Sequence, residues 1–347
     1  MKRLYLWIGV LISVVALLAV GCAGGGGGGG GGPQYTIGIF QIITHPALDS
    51  AREGFKDAFK DALAAKGLNE SEVMFMESNA AGSMDTCYTI ADYFVSKNVS
   101  LICAISTPCV IAAATAVTGT TIPVVFNSVT NPVVAGVVAS WEVPGGQITG
   151  VSDMAPVEPQ LVLINDILTY NNLTLSKLGV IYNAGEPNSV YQVDTQLVDA
   201  LAALNWTGNV TVVKATVSSG TDVPAATNAL VSQNVSAIWV PTDNTVVGAF
   251  EAVVGPCQEN DVPLFAADTA TVTRGAIGAW GMDYYTVGNY SGWMAADILL
   301  NGANPATMPI ETVPANLLYL NCGAATNTTI TIPPALIAMA DTTYGCG

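Results

Sequence analysis

Residues 37–55 read IGIFQIITHPALDSAREGF, and the local structure they encode sets the architecture of the chain. Ile37, Ile39, Ile42 and Ile43 form an apolar run of strand character. After Pro46 the apolar Leu48, Ala51 and Phe55 recur at helical spacing beside Asp49, Arg52, Glu53 and Lys56. A buried strand therefore passes directly into a helix. Proline has no N–H and a fixed φ, which suits the first helical position; Thr44 or His45 is then the cap, with Asp49 near the positive helix end. Ligands of open α/β sheets bind outside the carboxyl ends of the strands, so Gln41 to Asp49 is the first region in which to expect a site.

The same alternation runs through the rest of the chain. Strands are expected at 35–41, 73–77, 101–106, 122–127, 178–183, 210–216, 237–240, 264–267 and 276–280. Helices are expected between them at 47–65, 85–97, 108–117, 159–169, 190–204, 223–232 and 246–259. Short Val/Ile/Leu-rich strands separated by helices imply parallel sheets covered on both faces. The pattern becomes irregular from Asn131 to Pro159, around Pro144-Gly145-Gly146, and then restarts. With 347 residues to place, that restart implies a second α/β lobe.

Composition narrows the function classes. The net charge is −16 with only ten Lys+Arg, which excludes nucleic acid and anionic membrane surfaces as partners. Lys2-Arg3, the apolar run Leu4 to Val20 and Ala19-Val20-Gly21-Cys22 combine a positive region, an apolar region and a small-residue cleavage site. An uncleaved anchor is the alternative, since the run is just long enough to span a bilayer. Gly24 to Gly32 has no side chains to bury and reads as a flexible tether; it precedes the first strand, so it is no dinucleotide loop. Cys87, Cys103, Cys109, Cys257, Cys322 and Cys346 permit up to three disulfides in an oxidising compartment, with Cys322–Cys346 preferred as closing the C-terminal tail. No C-x-x-C pair supports zinc, and no cofactor is expected. Asn69, Asn98, Asn172, Asn205, Asn209, Asn234, Asn289 and Asn327 each open an N-x-S/T triplet, against roughly three expected by chance.

Small polar residues follow many of the expected strands. In the first half these are Gln41, Ser106-Thr107-Pro108 and Asn127-Ser128-Val129-Thr130; in the second they are Asn183 to Ser189, Thr242-Asp243-Asn244 and Asp268-Thr269. Each taken alone is an ordinary helix cap. Six such strand ends together describe a site: free N–H groups and hydroxyls suit a carboxylate, and Glu186, Asp243 or Asp268 an ammonium. A small zwitterion fits both. Asp243→Ala is then expected to abolish binding with the fold intact. Enzyme readings find no H-E-x-x-H, G-x-S-x-G or P-loop lysine, and one histidine at a helix start does not make a hydrolase triad.

His45-Pro46-Ala47-Leu48-Asp49 with Gly54-Phe55 resembles the opening of a family of ABC-transporter substrate-binding proteins that includes tryptophan- and tyrosine-binding members. The resemblance covers nearly the whole mature chain. Ile122-Pro123-Val124-Val125-Phe126 and Val129-Thr130-Asn131-Pro132 are similar to family segments, with Asn131 where Asp is usual. Pro144-Gly145-Gly146 and Thr149 to Asp153 match with Gln147 replacing Asn. Tyr182-Asn183, Glu186-x-Asn188-Ser189 and Pro241-Thr242-Asp243-Asn244 match without substitution. Cys22 lies in what resembles a lipobox and would carry the lipid.

The resemblance implies a type I periplasmic-binding-protein fold of two doubly wound lobes joined by a hinge. Residues 1–21 would be a signal peptide and 22–33 the tether. Residues 34–152 plus 284–312 would form lobe 1, and 153–283 plus 313–347 lobe 2. It implies further that Gln41, Thr107 and Thr130 line one side of the cleft, and Asn183, Asn188, Ser189, Thr242, Asp243 and Asp268 the other; Ser128 and Glu186 join them from the strand-end pattern. The implied function is extracytoplasmic capture of an amino acid, aromatic in known relatives, by a monomer serving an ABC permease and ATPase. Tyr93, Trp141, Trp239, Trp280 and Tyr284 are the aromatic candidates, each with an alternative core role. A tethered sensor is the competing use of such a fold.

Overall fold

The computed structural model describes residues 32–346; the expected signal peptide, the expected lipid site at Cys22 and the expected tether through Gly31 lie outside them. The first strands are β1 (Tyr35–Gln41), β2 (Val73–Asn79), β3 (Leu101–Ile105), β4 (Val124–Asn127) and β5 (Ile148–Ser152). Then come β6 (Lys177–Asn183), β7 (Thr211–Val217), β8 (Ala237–Val240), β9 (Leu264–Ala266) and β10 (Gly278–Gly281), followed by β11 (Glu311–Thr312), β12 (Leu317–Asn321) and β13 (Thr342–Tyr344). They make two sheets, ordered β11-β5-β4-β3-β1-β2 and β13-β12-β10-β9-β8-β6-β7. The first is parallel throughout, and in the second only the β10–β12 pairing is antiparallel. Leu101–Ile105 and Ala237–Val240 are buried at every position, as strands covered by helices on both faces must be.

Both sheets reverse their strand order beside the first strand of the half, between β1 and β3 and between β6 and β8. Such a reversal splays the loops leaving neighbouring strands and opens a crevice at their carboxyl ends. The chain crosses between sheets three times, after Ser152, after Gly281 and after Thr312. On the second crossing the helix Tyr284–Asn301 returns to the first sheet and packs along Pro46–Ala65. Gly54, Gly288 and Gly292 permit that approach: a β-carbon on Gly288 would stand 1.9 Å from the Ala51 carbonyl oxygen.

One core surrounds the first sheet, with Phe40, Phe55, Phe59, Phe94 and Phe126 fully buried. The two faces of the second sheet carry separate cores, one around Trp239 and Leu161 and one around Phe250 and Ile238. Cys322 and Cys346 are disulfide-bonded; Cys87, Cys103, Cys109 and Cys257 are buried free thiols. Among the described residues no helix is long and apolar enough to cross a membrane.

Candidate functional site

A cavity lies where the two crevices face each other, lined by His45, Leu48, Thr107, Ser128, Thr130, Asp153 and Tyr284 on one wall and Asn188, Thr242, Asp243, Asn244, Val247 and Asp268 on the other. The space between the two walls, counted out to its mouth, is about 330 Å³, most of it in gaps narrower than a water molecule. The walls are thus nearly in contact.

Each lining residue sits where a strand hands over to a helix. His45 precedes the helix Pro46–Ala65 with extended backbone, and its side chain makes no capping bond. Ser106 holds φ at +92° and Ser128 at +57°; two non-glycine residues in the left-handed half of the map beside one cavity is stored strain of the kind found at binding sites. Thr107 opens the helix Thr107–Ala116. On the other wall Asp243 and Asp268 cap the helical turns that follow β8 and β9, accepting from Val246 N and Ala270 N, each at 2.8 Å.

Three buried side-chain atoms of this lining have no hydrogen-bond partner: His45 Nδ1, Thr107 Oγ1 and Asn188 Oδ1. Their residues are 7%, 2% and 3% exposed. Unpaired buried polar atoms cost roughly 1–3 kcal/mol each, and three from opposite walls converging on one space mark the place where a polar ligand would satisfy them.

Carboxylates dominate the electrostatics. Asp153 Oδ1 accepts from Thr130 Oγ1 at 3.1 Å and Oδ2 from Tyr284 Oη at 3.3 Å, and burial pushes its pKa up to about 6. Burial, with the charge of Asp153 adding to it, raises Asp268 to about 6 as well. Asp243 is raised by burial and by the charge of Glu186. Burial keeps the His45 imidazole neutral, lowering it to about 4 against an opposing contact with Asn244. Neutralising this acidic group from within calls for a cation.

Seven residues expected from the sequence meet here: Thr107, Ser128, Thr130, Asn188, Thr242, Asp243 and Asp268. Four stand away from the lining, each with its polar atoms engaged elsewhere. Gln41 Nε2 donates to Asp49 and the Ile43 carbonyl, while its Oε1 accepts from Arg52. Glu186 accepts from the backbone and side chains of both Asn244 and Thr245 and from Asn188 Nδ2; it braces the second wall from behind. Asn183 donates its N–H to Asp243 and its amide to Thr245, and Ser189 Oγ donates to the Asn183 carbonyl. Asn244 belonged to the strand-end pattern and His45 and Leu48 to the stretch Gln41 to Asp49, though none of the three was assigned to the lining; the pattern passed over Asp153 and Val247 altogether.

Of the aromatic candidates only Tyr284 lines the cavity. Trp239 is fully buried and donates to Gln160, Trp280 lines a separate groove, Trp141 packs on the first core, and Tyr93 is exposed.

Residues 36–344 match the family described as ABC transporter substrate binding protein. The chain is 35% identical over 289 residues to a tyrosine-binding protein of Clostridioides difficile (strain R20291), covering 83% of this chain and 79% of that one. A Streptococcus pneumoniae ABC domain solved in complex with L-Trp is 30% identical, with a TM-score of 0.80 over 89% of this chain and 99% of that one. The ligand-free, open structure of a Clostridium difficile substrate-binding protein with adhesive properties is 32% identical, with a TM-score of 0.61 over 86% and 96%. With a match over this span and two facing crevices, the chain belongs to the extracytoplasmic substrate-binding proteins of ABC transporters.

Proposed function

We propose that this protein captures an α-amino acid with an aromatic side chain between its two halves and delivers it to the permease and ATPase of an ABC importer, held at the membrane by a lipid on Cys22. The observation that carries this reading is the trio of unpaired atoms, His45 Nδ1, Thr107 Oγ1 and Asn188 Oδ1, set beside Asp153, Asp243 and Asp268. In this reading the acids hold the ammonium, while the hydroxyls of Thr107, Ser128 and Thr130 and the helix start at Thr107 receive the carboxylate.

The crossings after Ser152, Gly281 and Thr312 serve as the hinge, and the nearly closed walls correspond to the state that a ligand stabilises by contacting both sides. Similarity to solved relatives supports this: the TM-score is 0.80 with the Trp-bound protein and 0.61 with the open one, although the identities are 30% and 32%. The relatives' printed ligands, tyrosine and L-Trp, supply the aromatic class.

Calorimetry with L-tryptophan, L-tyrosine, L-phenylalanine and the branched aliphatic amino acids tests the reading. An aromatic amino acid is expected to bind and its N-acetyl derivative, which has no ammonium, to fail. Equal affinity for N-acetyltryptophan and tryptophan, or no binding by any of these amino acids, overturns it.

A further inference from the structure

We propose that the mature protein carries N-linked oligosaccharides on the ends of its two halves that face away from the cleft. The inference rests on the topology and on the extracytoplasmic location, and it stands whichever ligand the cleft takes.

In a parallel α/β lobe the chain leaves each strand at the cleft and enters the next from the opposite end. Six of the N-x-S/T triplets fall at those entries. Asn69 precedes β2, Asn98 precedes β3, Asn172 precedes β6, Asn205 and Asn209 precede β7, and Asn234 precedes β8. All six asparagines are exposed. The triplet at Asn327 joins the same end, because two residues beyond it the Thr331 backbone exchanges two hydrogen bonds with the Asn171 side chain.

The asparagines at the cleft end behave differently. Asn79, Asn127 and Asn183 end strands there, Asn188 and Asn244 lie at helix starts, and none has Ser or Thr two residues on. A bulky glycan at those positions would stand between the closing halves. Asn289, half-buried in the helix Tyr284–Asn301, is expected to stay bare.

Local structure explains part of the pattern without a glycan. Asn98, Asn172, Asn205 and Asn234 have φ between +49° and +59°, a conformation in which asparagine often ends helices. The Ser100 and Ser236 hydroxyls accept the N–H groups of Thr36 at 3.0 Å and Ser176 at 3.1 Å. Ser71, Thr174 and Thr207 are exposed, so their hydroxyls are open to solvent at the triplets of Asn69, Asn172 and Asn205.

In the transfer, the asparagine amide nitrogen attacks C1 of the first sugar of an oligosaccharide carried on a membrane lipid phosphate. The N–C1 bond forms, the C1–O bond to phosphate breaks with its electron pair leaving on the lipid phosphate, and the amide gives up one proton.

The test is peptide mass spectrometry on the full protein purified from its own cells, wild type and with Thr174→Ala and Thr207→Ala. The peptides containing Asn172 and Asn205 are expected to exceed their sequence masses by one shared oligosaccharide mass. Each substitution should remove that increment from its own site alone, leaving amino-acid affinity unchanged, with the Asn289 peptide at its sequence mass. Sequence masses at all the distal triplets, or an increment that survives loss of the threonine, overturns the proposal.

Discussion

Ile43 in one half seats against Gly248 in the other: its Cδ1 lies 2.8 Å from where a β-carbon on Gly248 would be. A side chain at Gly248 would therefore displace the Ile43 methyl that packs against the end of the helix Asn244–Gly248. Neither residue lines the cavity, so the fit acts on closure rather than on ligand contact.

Gly248→Val is therefore expected to weaken amino-acid binding about tenfold, since overpacking of this size costs roughly 1–3 kcal/mol. Ile43→Ala introduced beside it should restore most of the affinity by vacating the space. Calorimetry of the two single variants and the double variant measures this coupling; additive losses would show that the contact does not gate closure.

The acids predict how binding depends on pH. Asp153 and Asp268, raised to about 6, bind more protons folded than unfolded between about pH 4 and pH 6, so their contribution makes the free protein less stable as pH rises through that window. His45, lowered to about 4, works the other way: its folded form binds fewer protons between about 4 and 6.5, and its share of stability grows with pH. Burial is the main cause of each shift; hydrogen bonds from Thr130 and Tyr284 oppose it at Asp153, the charges of Asp153 and Arg274 act in opposite directions on Asp268, and at His45 the contact with Asn244 opposes burial while the charge of Arg274 adds to it. A ligand ammonium needs ionised acids, so affinity should fall as pH drops below 6, and binding at pH 6 should release protons. Titration calorimetry at pH 6 in buffers of different ionisation enthalpy reads that release; none, together with equal affinity at pH 5 and pH 7.5, would remove the acids from ammonium binding.

Asp243 and Asp268 separate charge from scaffolding. Asp243 Oδ2 accepts the Asn183 N–H at 2.6 Å and Oδ1 the Val246 N–H at 2.8 Å. Asp243→Ala therefore leaves two backbone donors unpaired, at roughly 1–3 kcal/mol each, and should lower thermal stability as well as affinity rather than leave the fold untouched. Asp268 accepts from Ala270 N–H, a bond that Asp268→Asn retains through its carbonyl oxygen. That variant should keep its melting temperature and lose at least tenfold in affinity, measured by calorimetry beside thermal unfolding.

Much of the architecture was legible because most of its elements repeat a simple pattern. β1 occupies Tyr35–Gln41 as its apolar run implied, and β8 occupies Ala237–Val240. β5, Ile148–Ser152, escaped because it is short and contains Gly150 at φ +156° packed on Phe126. The long helix Tyr284–Asn301 escaped too: with Gly288 and Gly292 inside it and buried residues spread around much of its circumference, it lacks the clean polar face that helical periodicity relies on. At the site, strand-end chemistry indicates which residues gather but not which way each faces. Glu186 carries the right charge for an ammonium and spends it on Asn244 and Thr245, whereas His45 reads as a cap and instead makes no capping bond.

The seam between Pro46–Ala65 and Tyr284–Asn301 gives the sharpest stability prediction. Alanine normally improves on glycine inside a helix by up to about 1 kcal/mol. At Gly288 the added carbon would meet the Ala51 carbonyl oxygen at 1.9 Å, and at Gly54 the Tyr285 carbonyl oxygen at 2.1 Å. Both obstacles are backbone, so no side-chain rotation relieves them and the helices themselves must separate. Gly288→Ala is expected to destabilise by about 3 kcal/mol or more. Gly255, inside the helix Glu251–Glu259, has nothing within 4 Å of the same position, and Gly255→Ala should be neutral or stabilising. Thermal unfolding of the pair decides the matter: if Gly288→Ala melts at or above the wild-type temperature, the close crossing of the two helices is not what holds the returning segment to the first sheet.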